Sequence, residues 1–280
     1  MTRVQARAPR PWPALLLGLA ALTGCTPTVD VGQLSTADPD TSTSDTLDAT
    51  DTTTPTSTGA STTASTDTPV TVKITETAVT LPPGGWRGFS ATVENASDSY
   101  VTWSLDPPAN SGVFVEQGSP RTVRYDAPAT PGTYHLIATS DEDPTASVAA
   151  TITVSASAPT TATIFTNYNP DSVGSDPTAD TTFVVTETRH ITYIDTYHYL
   201  IGNTPVGTIA LRHSDNTLYG PWQAMGLYGG GIINGLWVCY PNVDIKPGTY
   251  TIVDSSPSTW STNGGSGNQG FAQVDALALP

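Results

Sequence analysis

Pro131-Gly-Thr-Tyr-His-Leu-Ile-Ala-Thr-Ser140 is the stretch that decides the fold. A Pro-Gly turn opens it, and a run rich in aromatic and β-branched residues follows, with alternate side chains directed to opposite faces of an extended chain. Working outward, six runs of the same kind surround it: Val70–Ile74, Phe89–Val93, Val101–Leu105, Val113–Val115, Thr122–Tyr125 and Ala149–Val154. Pro82-Pro-Gly-Gly85, Asp106-Pro-Pro108 and Asp143-Pro144 punctuate them. Short strands at this density, with no helical period, predict a β-sandwich over residues 69–156.

Trp103 falls in the middle of its strand, and Tyr134 lies near the start of the penultimate one. With Tyr125-Asp-Ala-Pro128 just upstream, Pro131–Ser140 resembles the penultimate strand of bacterial Ig-like repeats. That resemblance covers residues 69–156 and implies a spacer or adhesion role with no catalytic residue. The immunoglobulin cysteine pair is absent. Asp141-Glu-Asp143 closes the same strand. Three consecutive acids can offer oxygen ligands to calcium, but the spacing of a calcium loop is missing and a solvated hairpin turn explains them as well. No other cofactor is implied.

Residues 162–280 carry eight of the 11 tyrosines and three of the six tryptophans. Strands are expected at Ala162–Thr166, Thr182–Glu187, His190–Tyr199, Gly207–Arg212, Thr217–Ala224, Gly235–Tyr240, Thr249–Asp254 and Phe271–Asp275, giving a second sandwich of jelly-roll type. Ile191-Thr-Tyr-Ile-Asp-Thr-Tyr-His198, Tyr219-Gly-Pro-Trp222 and Pro247–Ser255 with Thr259-Trp-Ser261 resemble C-terminal β modules of multidomain secreted bacterial proteins, a likeness that implies architecture only. Strand alternation assigns Ile191, Tyr193, Asp195, Tyr197 and Tyr199 to one face, and His190, Thr192, Ile194, Thr196 and His198 to the other. Aromatic rings beside a few polar groups suit sugar rings. Tyr193, Asp195, Tyr197, Trp222, Asp254, Trp260 and Asn263 are therefore the candidate ligand-binding residues, with Trp237 a further aromatic of the same region; core packing is the competing role for each aromatic.

The N-terminus places these modules. Arg3, Arg7 and Arg10 precede an apolar run from Ala14 to Leu22, too short to span a bilayer, which needs ~20 residues. Leu22-Thr-Gly-Cys25 follows and resembles the lipobox of bacterial lipoproteins. The resemblance implies cleavage after residue 24, diacylglycerol on the Cys25 thiol and anchorage in a membrane. In Gram-negative lipoproteins an aspartate after the cysteine retains the protein in the inner membrane, so with Thr26 at that position the resemblance implies the outer membrane. Residues 25–68 then form a tether. Of positions 26–68, 22 are Ser or Thr and seven are Asp, with no basic or aromatic residue. Such a segment cannot bury enough apolar surface to offset its ordering entropy, and would reach ~35–40 Å on average.

Loss of the three leader arginines takes the net charge from −15 to −18. That surface repels nucleic acid, and no basic patch interrupts it. With Cys25 acylated, Cys239 has no partner for a disulfide and reads as a buried thiol in an apolar strand. There is no Gly-x-Ser-x-Gly elbow or His-Glu-x-x-His helix, and the glycine clusters at 229–231 and 264–267 do not open helices. The expectation is a lipid-anchored surface protein, not an enzyme, whose terminal sandwich binds extracellular material such as polysaccharide. A structural or adhesive envelope component without a small ligand is the alternative. A polysaccharide hydrolase using Asp195 and Asp254 is a third.

Overall fold

The computed structural model describes residues 68–279 except Asn203. The leader, Cys25 and the tether lie outside the described residues. Strands β1 (Thr71–Ile74), β2 (Ala78–Leu81), β3 (Trp86–Glu94), β4 (Val101–Asp106), β5 (Val113–Glu116), β6 (Thr122–Asp126), β7 (Gly132–Ser140) and β8 (Ser147–Val154) build the first sandwich. One sheet runs β1-β3-β6-β5 and the other β2-β8-β7-β4. This is the two-sheet strand order of immunoglobulin domains, with the first strand split so that β2 pairs in parallel with β8.

The apolar alternation of each strand fills the space between these sheets. Phe89, Val123 and Tyr125 from one sheet meet Trp103, Leu136, Ala138 and Ile152 from the other. All three polar-tipped aromatics of this core find partners, as buried ones usually do, and Tyr125 Oη donates to Ser111 O at 2.6 Å. Trp103 Nε1 donates to Pro120 O at 2.7 Å, and Tyr134 Oη donates back to Thr130 O at 2.9 Å, the tyrosine-corner bond at the start of the penultimate strand. The seven strands read from the sequence are all present. The eighth, β2, is four residues long with nothing but its parallel pairing to announce it.

The second sandwich contains β9 (Thr161–Thr166), β10 (Gly174–Ser175), β11 (Thr182–Val185), β12 (Arg189–Tyr197), β13 (Thr208–His213), β14 (Leu218–Gln223), β15 (Met225–Gly229), β16 (Ile232–Cys239), β17 (Val243–Ile245), β18 (Gly248–Asp254), β19 (Ser261–Thr262) and β20 (Ala272–Leu277). A sheet β11-β18-β13-β14 faces a larger one, β15-β16-β12-β20-β9, to which β17 adds beside β12. The chain passes back and forth between the two, β11, β12 and β13 alternating sheets as in a jelly roll. Ile191, Ile194, Leu211, Trp237, Tyr250, Ile252 and Val274 fill the core between them. The whole is all-β, and no helix among the described residues is long and apolar enough to cross a membrane.

A third apolar cluster joins the sandwiches. Tyr193, Leu227 and Val238, on the outer face of the larger sheet, pack with Met225, Leu236 and Tyr240 against Trp86 of β3. Trp86 meets Tyr193 edge to face, with ring centroids 5.6 Å apart. The Arg87 guanidinium lies over the Tyr240 ring at 3.4 Å and is held there by two bonds to Glu76, at 2.8 and 2.9 Å. Gly88 N donates to Tyr240 Oη at 2.9 Å, and Tyr228 N donates to Gln117 Oε1 at 2.9 Å. The joint is thus a small core of its own.

Gly88 is required for this approach: a Cβ there would lie 2.9 Å from Met225 Sδ and 3.3 Å from Tyr240 Oη. Gly88→Val should cost about 1–3 kcal/mol by overpacking and uncouple the sandwiches. Calorimetry should show one unfolding transition for the parent chain and two for the variant; a single unshifted transition in the variant would contradict a packed joint.

Candidate functional site

The long strand β12 carries most of the candidate residues, and its two faces do not divide as simple alternation predicts. A β-bulge interrupts the pairing with β20 between Ile191 and Tyr193. The extra residue shifts the pleat, as bulges do. Ile191 therefore points into the core with Ile194, and not outward with Tyr193. Thr192 and His190, placed by alternation on the same face as Ile194, border an outer cleft instead.

Beyond the bulge, Tyr193, Asp195 and Tyr197 share the outer face as expected, but they form no open platform. Tyr193 is 8% exposed beneath Trp86, and Asp195 is 5% exposed. Tyr168, from the segment after β9, folds over the carboxylate and donates its hydroxyl to Asp195 Oδ1 at 2.6 Å. Tyr168 also packs against Phe271 and Tyr197, with centroids 5.5 and 6.5 Å away. Burial raises the Asp195 carboxyl to about 6, and the hydroxyls of Tyr168 and Tyr193 hold it from rising further. The nearby Asp275 carboxylate pushes the same way as burial, while the Gln273 backbone opposes it.

Asp254 lies elsewhere. It ends β18 in the opposite sheet and closes a buried polar cluster on the inner face of β12. Thr196 Oγ1 donates to Asp254 Oδ2 at 2.8 Å, His198 Nε2 lies 3.2 Å from the same oxygen, and His198 Nδ1 pairs with Thr259 Oγ1 at 2.9 Å. The imidazole stacks on Trp237 at 3.8 Å between centroids. A hydroxyl, an imidazole and a carboxylate in a row are the groups of a nucleophilic triad. Here all are sealed between the sheets, where they bind one sheet to the other. Asp195 and Asp254 thus sit on opposite faces of β12. They cannot flank one glycosidic bond, which removes the geometric basis of the hydrolase pair.

The other candidates are dispersed. Trp260 is buried and donates Nε1–H to Phe271 O at 2.8 Å. Trp222 of β14 is half-buried against the core, and Trp237 is fully buried within it. Asn263 caps the 3-10 turn Gly264–Ser266 and forms a reciprocal amide pair with Asn169, at 3.1 and 2.7 Å. The seven residues do not converge on a common ligand site. Cys239 is buried, and burial pushes its thiol well above the ordinary range.

The acidic triplet disperses as well. Asp141 accepts from Thr102 Oγ1 at 2.8 Å, Glu142 from Ser97 Oγ and Asp98 N at 2.7 Å each, and Asp143 from Thr145 Oγ1 and N at 2.6 and 2.9 Å. The Ser97 and Thr145 side chains hold Glu142 and Asp143 below the usual carboxylate range. Three carboxylates turned to three different donors are a hairpin turn, and no group of three metal-ligating side chains gathers among the described residues.

What the sequence did not reveal is a cleft of about 500 Å³ beside the joint. Its floor is the outer face of β12, β20 and β9, with Thr192, Tyr193, Asp275 and Thr161; its wall is β2 with the turn leading to Trp86 and Arg87. Open clefts of this size between packed modules are where ligands are commonly held. No local signal marks it, since its walls lie more than seventy residues apart in the chain.

These observations define the protein as an all-β chain of two tandem sandwiches, the first in immunoglobulin strand order. No family model matches the chain, and no curated protein matches it. Among solved structures it aligns with a marsupial T cell receptor over 76% of its own length and the whole receptor chain, at 12% identity and a TM-score of 0.23. It aligns with the Escherichia coli adhesin FdeC over 75% of its length and 64% of that chain, at 16% identity and a TM-score of 0.23. A two-domain protein of unknown function from Bacteroides fragilis aligns over 75% and 94%, at 8% identity and a TM-score of 0.19. Likenesses at this level carry no functional argument, and the fold stands on its own strand order.

Asp195 gives a signed expectation. Its folded pKa of about 6 exceeds the ordinary 3.8, so between those values the native state holds a proton that the unfolded chain releases. Stability from this group is greatest below pH 4 and is lost as pH rises through 6, a change on the order of 2–3 kcal/mol. Urea unfolding across this range should show that fall in the parent chain but not in Asp195→Asn. Parallel pH profiles for the two would mean that Asp195 is ionised in the fold.

Proposed function

We propose that this chain is a lipoprotein of the cell envelope, held by lipid on Cys25 and displayed on a Thr/Ser/Asp-rich tether. Its two sandwiches act as one rigid body of the adhesive or structural class, with no catalytic role, and residues 69–156 serve as a bacterial Ig-like spacer. The observation that supports this reading is how the aromatic side chains are used. Trp86, Tyr193 and Tyr240 close the joint between sandwiches, and Trp103, Trp237 and Trp260 fill cores. Aromatics spent this way fix one module against the next instead of offering an open stacking surface. A rigid double module suits a protein that projects a surface or transmits force.

The anchor follows from chemistry at one residue. A thioether-linked diacylglycerol supplies two chains at ~0.8 kcal/mol per buried methylene, enough for stable anchorage. Thr26 favours the outer membrane over inner-membrane retention. Fractionation of producing cells should recover the chain with membranes, its processed N-terminal peptide carrying lipid by mass spectrometry. Cys25→Ala should lose the lipid and leave the anchored pool, and protease added outside should digest only the displayed form. An unmodified Cys25 in a chain that retains its leader would overturn the envelope reading.

A further inference from the structure

We propose that the cleft beside the joint is a saccharide site that takes a short segment of a neutral, hydroxyl-rich glycan; this rests on the reading that the sandwiches face the outside. The first argument is chemical. His190 lines the cleft and pairs through Nδ1 with Asp244 at 2.7 Å, so its Nε2 is not used in that bond. The Asn242 amide and the hydroxyls of Thr80 and Thr161 border the same space and make no side-chain hydrogen bond to another described residue. Asp275 uses one carboxylate oxygen for Gln273 Nε2, at 3.0 Å, and has the other to offer. The lining is thus a mixture of unspent donors and acceptors.

A sugar hydroxyl both donates and accepts, so a glycan satisfies such a mixed lining from whichever side it approaches. An apolar ligand would strip water from these groups without replacing it, at about 1–3 kcal/mol for each one left unpaired. An acidic glycan would meet Asp275 and Glu76, while the guanidinium of Arg87 is already taken by both Glu76 oxygens. The overall charge of −15 works against an anion as well. Neutral saccharides fit where apolar and anionic ligands do not.

The second argument is preorganisation. Trp86 borders the cleft and forms part of its wall. The same residue is fixed by Tyr193 on one side and by the Arg124 guanidinium, 4.7 Å from its ring, on another. The walls come from different sandwiches, but the joint fixes their separation before a ligand arrives. Affinity is then not reduced by ordering the site on binding.

The test uses the purified full chain and soluble oligomers of β-glucan, chitin, xylan and mannan, with oligogalacturonate as an acidic control, read by titration calorimetry. At least one neutral oligomer should bind and the acidic control should not. His190→Ala combined with Asn242→Ala should weaken that binding by roughly tenfold. Thr161→Trp, which fills the cleft from an exposed position on β9, should abolish it without lowering the melting temperature. Tyr199→Ala, at an exposed aromatic outside the cleft, should leave it unchanged. Absence of binding to every neutral oligomer, or equal affinity in the Thr161→Trp variant, would overturn the saccharide site. Neither result bears on surface display, which lipid analysis and external proteolysis read independently.

Discussion

The contact between Trp86 and Tyr193 is the constraint on which the rest of the arrangement turns. It is an edge-to-face pair of the kind worth ~0.5–1.5 kcal/mol beyond the area it buries. Its importance exceeds that figure because it lies where two sandwiches meet. The bulge upstream lets Ile191 enter the core while Tyr193 faces outward, and Trp86 cannot reach Tyr193 unless Gly88 leaves room for Met225 and Tyr240. Arg87 completes the arrangement by a cation–π contact worth ~0.5–2 kcal/mol, with its charge answered by Glu76 in the same sandwich. A charge that is neutralised within its own module can be pressed against a neighbour's ring at little desolvation cost. Two domains that could have been beads on a string become one body.

Joining the modules this way explains why the second sandwich contains buried polar groups on both faces of a single strand. The inner face of β12 holds Thr196 and His198 against Asp254, each satisfied by the others. The outer face holds Asp195 under Tyr168 and Tyr193. A strand of an ordinary antiparallel sheet wets one face and buries the other. In β12 a neighbouring sheet covers one face, and a loop and a neighbouring sandwich cover the other. Most of the polar side chains that water would have satisfied find partners within the protein, in two separate clusters, while Arg189 Nε and Trp237 Nε1 are buried without one.

That double burial also accounts for what could and could not be read from the residues. The strands were legible wherever alternation and turn residues agreed, as at Pro131–Ser140, where β7 forms with Tyr134 near its start. Strand β2, Ala78–Leu81, was not read from the residues. The face assignment of β12 held for Tyr193 through Tyr197 and failed at Ile191, because a bulge leaves no mark in composition. The Tyr/Asp face looked like a ligand surface because polar-tipped aromatics on an outward face usually meet water. Here they meet another module, and the sequence contains no statement about which outward face a neighbour will cover. Asp254 failed for a different reason: pairing it with Asp195 required knowing which side of β12 each would occupy, a property of sheet packing.

The cleft is a consequence of the same geometry. The outer face of the larger sheet runs from β15 to β9, but Trp86 and its neighbours cover only the part nearest β15, β16 and β12. Toward β20 and β9 the open cleft lies between the larger sheet and β2 of the first sandwich. Apolar residues occupy the contact, and polar ones such as Thr161, Thr192 and Asp275 occupy the cleft, where solvent can reach them. The joint and the cleft are therefore a single feature with a dry half and a wet half. A substitution that loosens the dry half must also change the shape of the wet half, so rigidity of the pair and any binding in the cleft are physically linked.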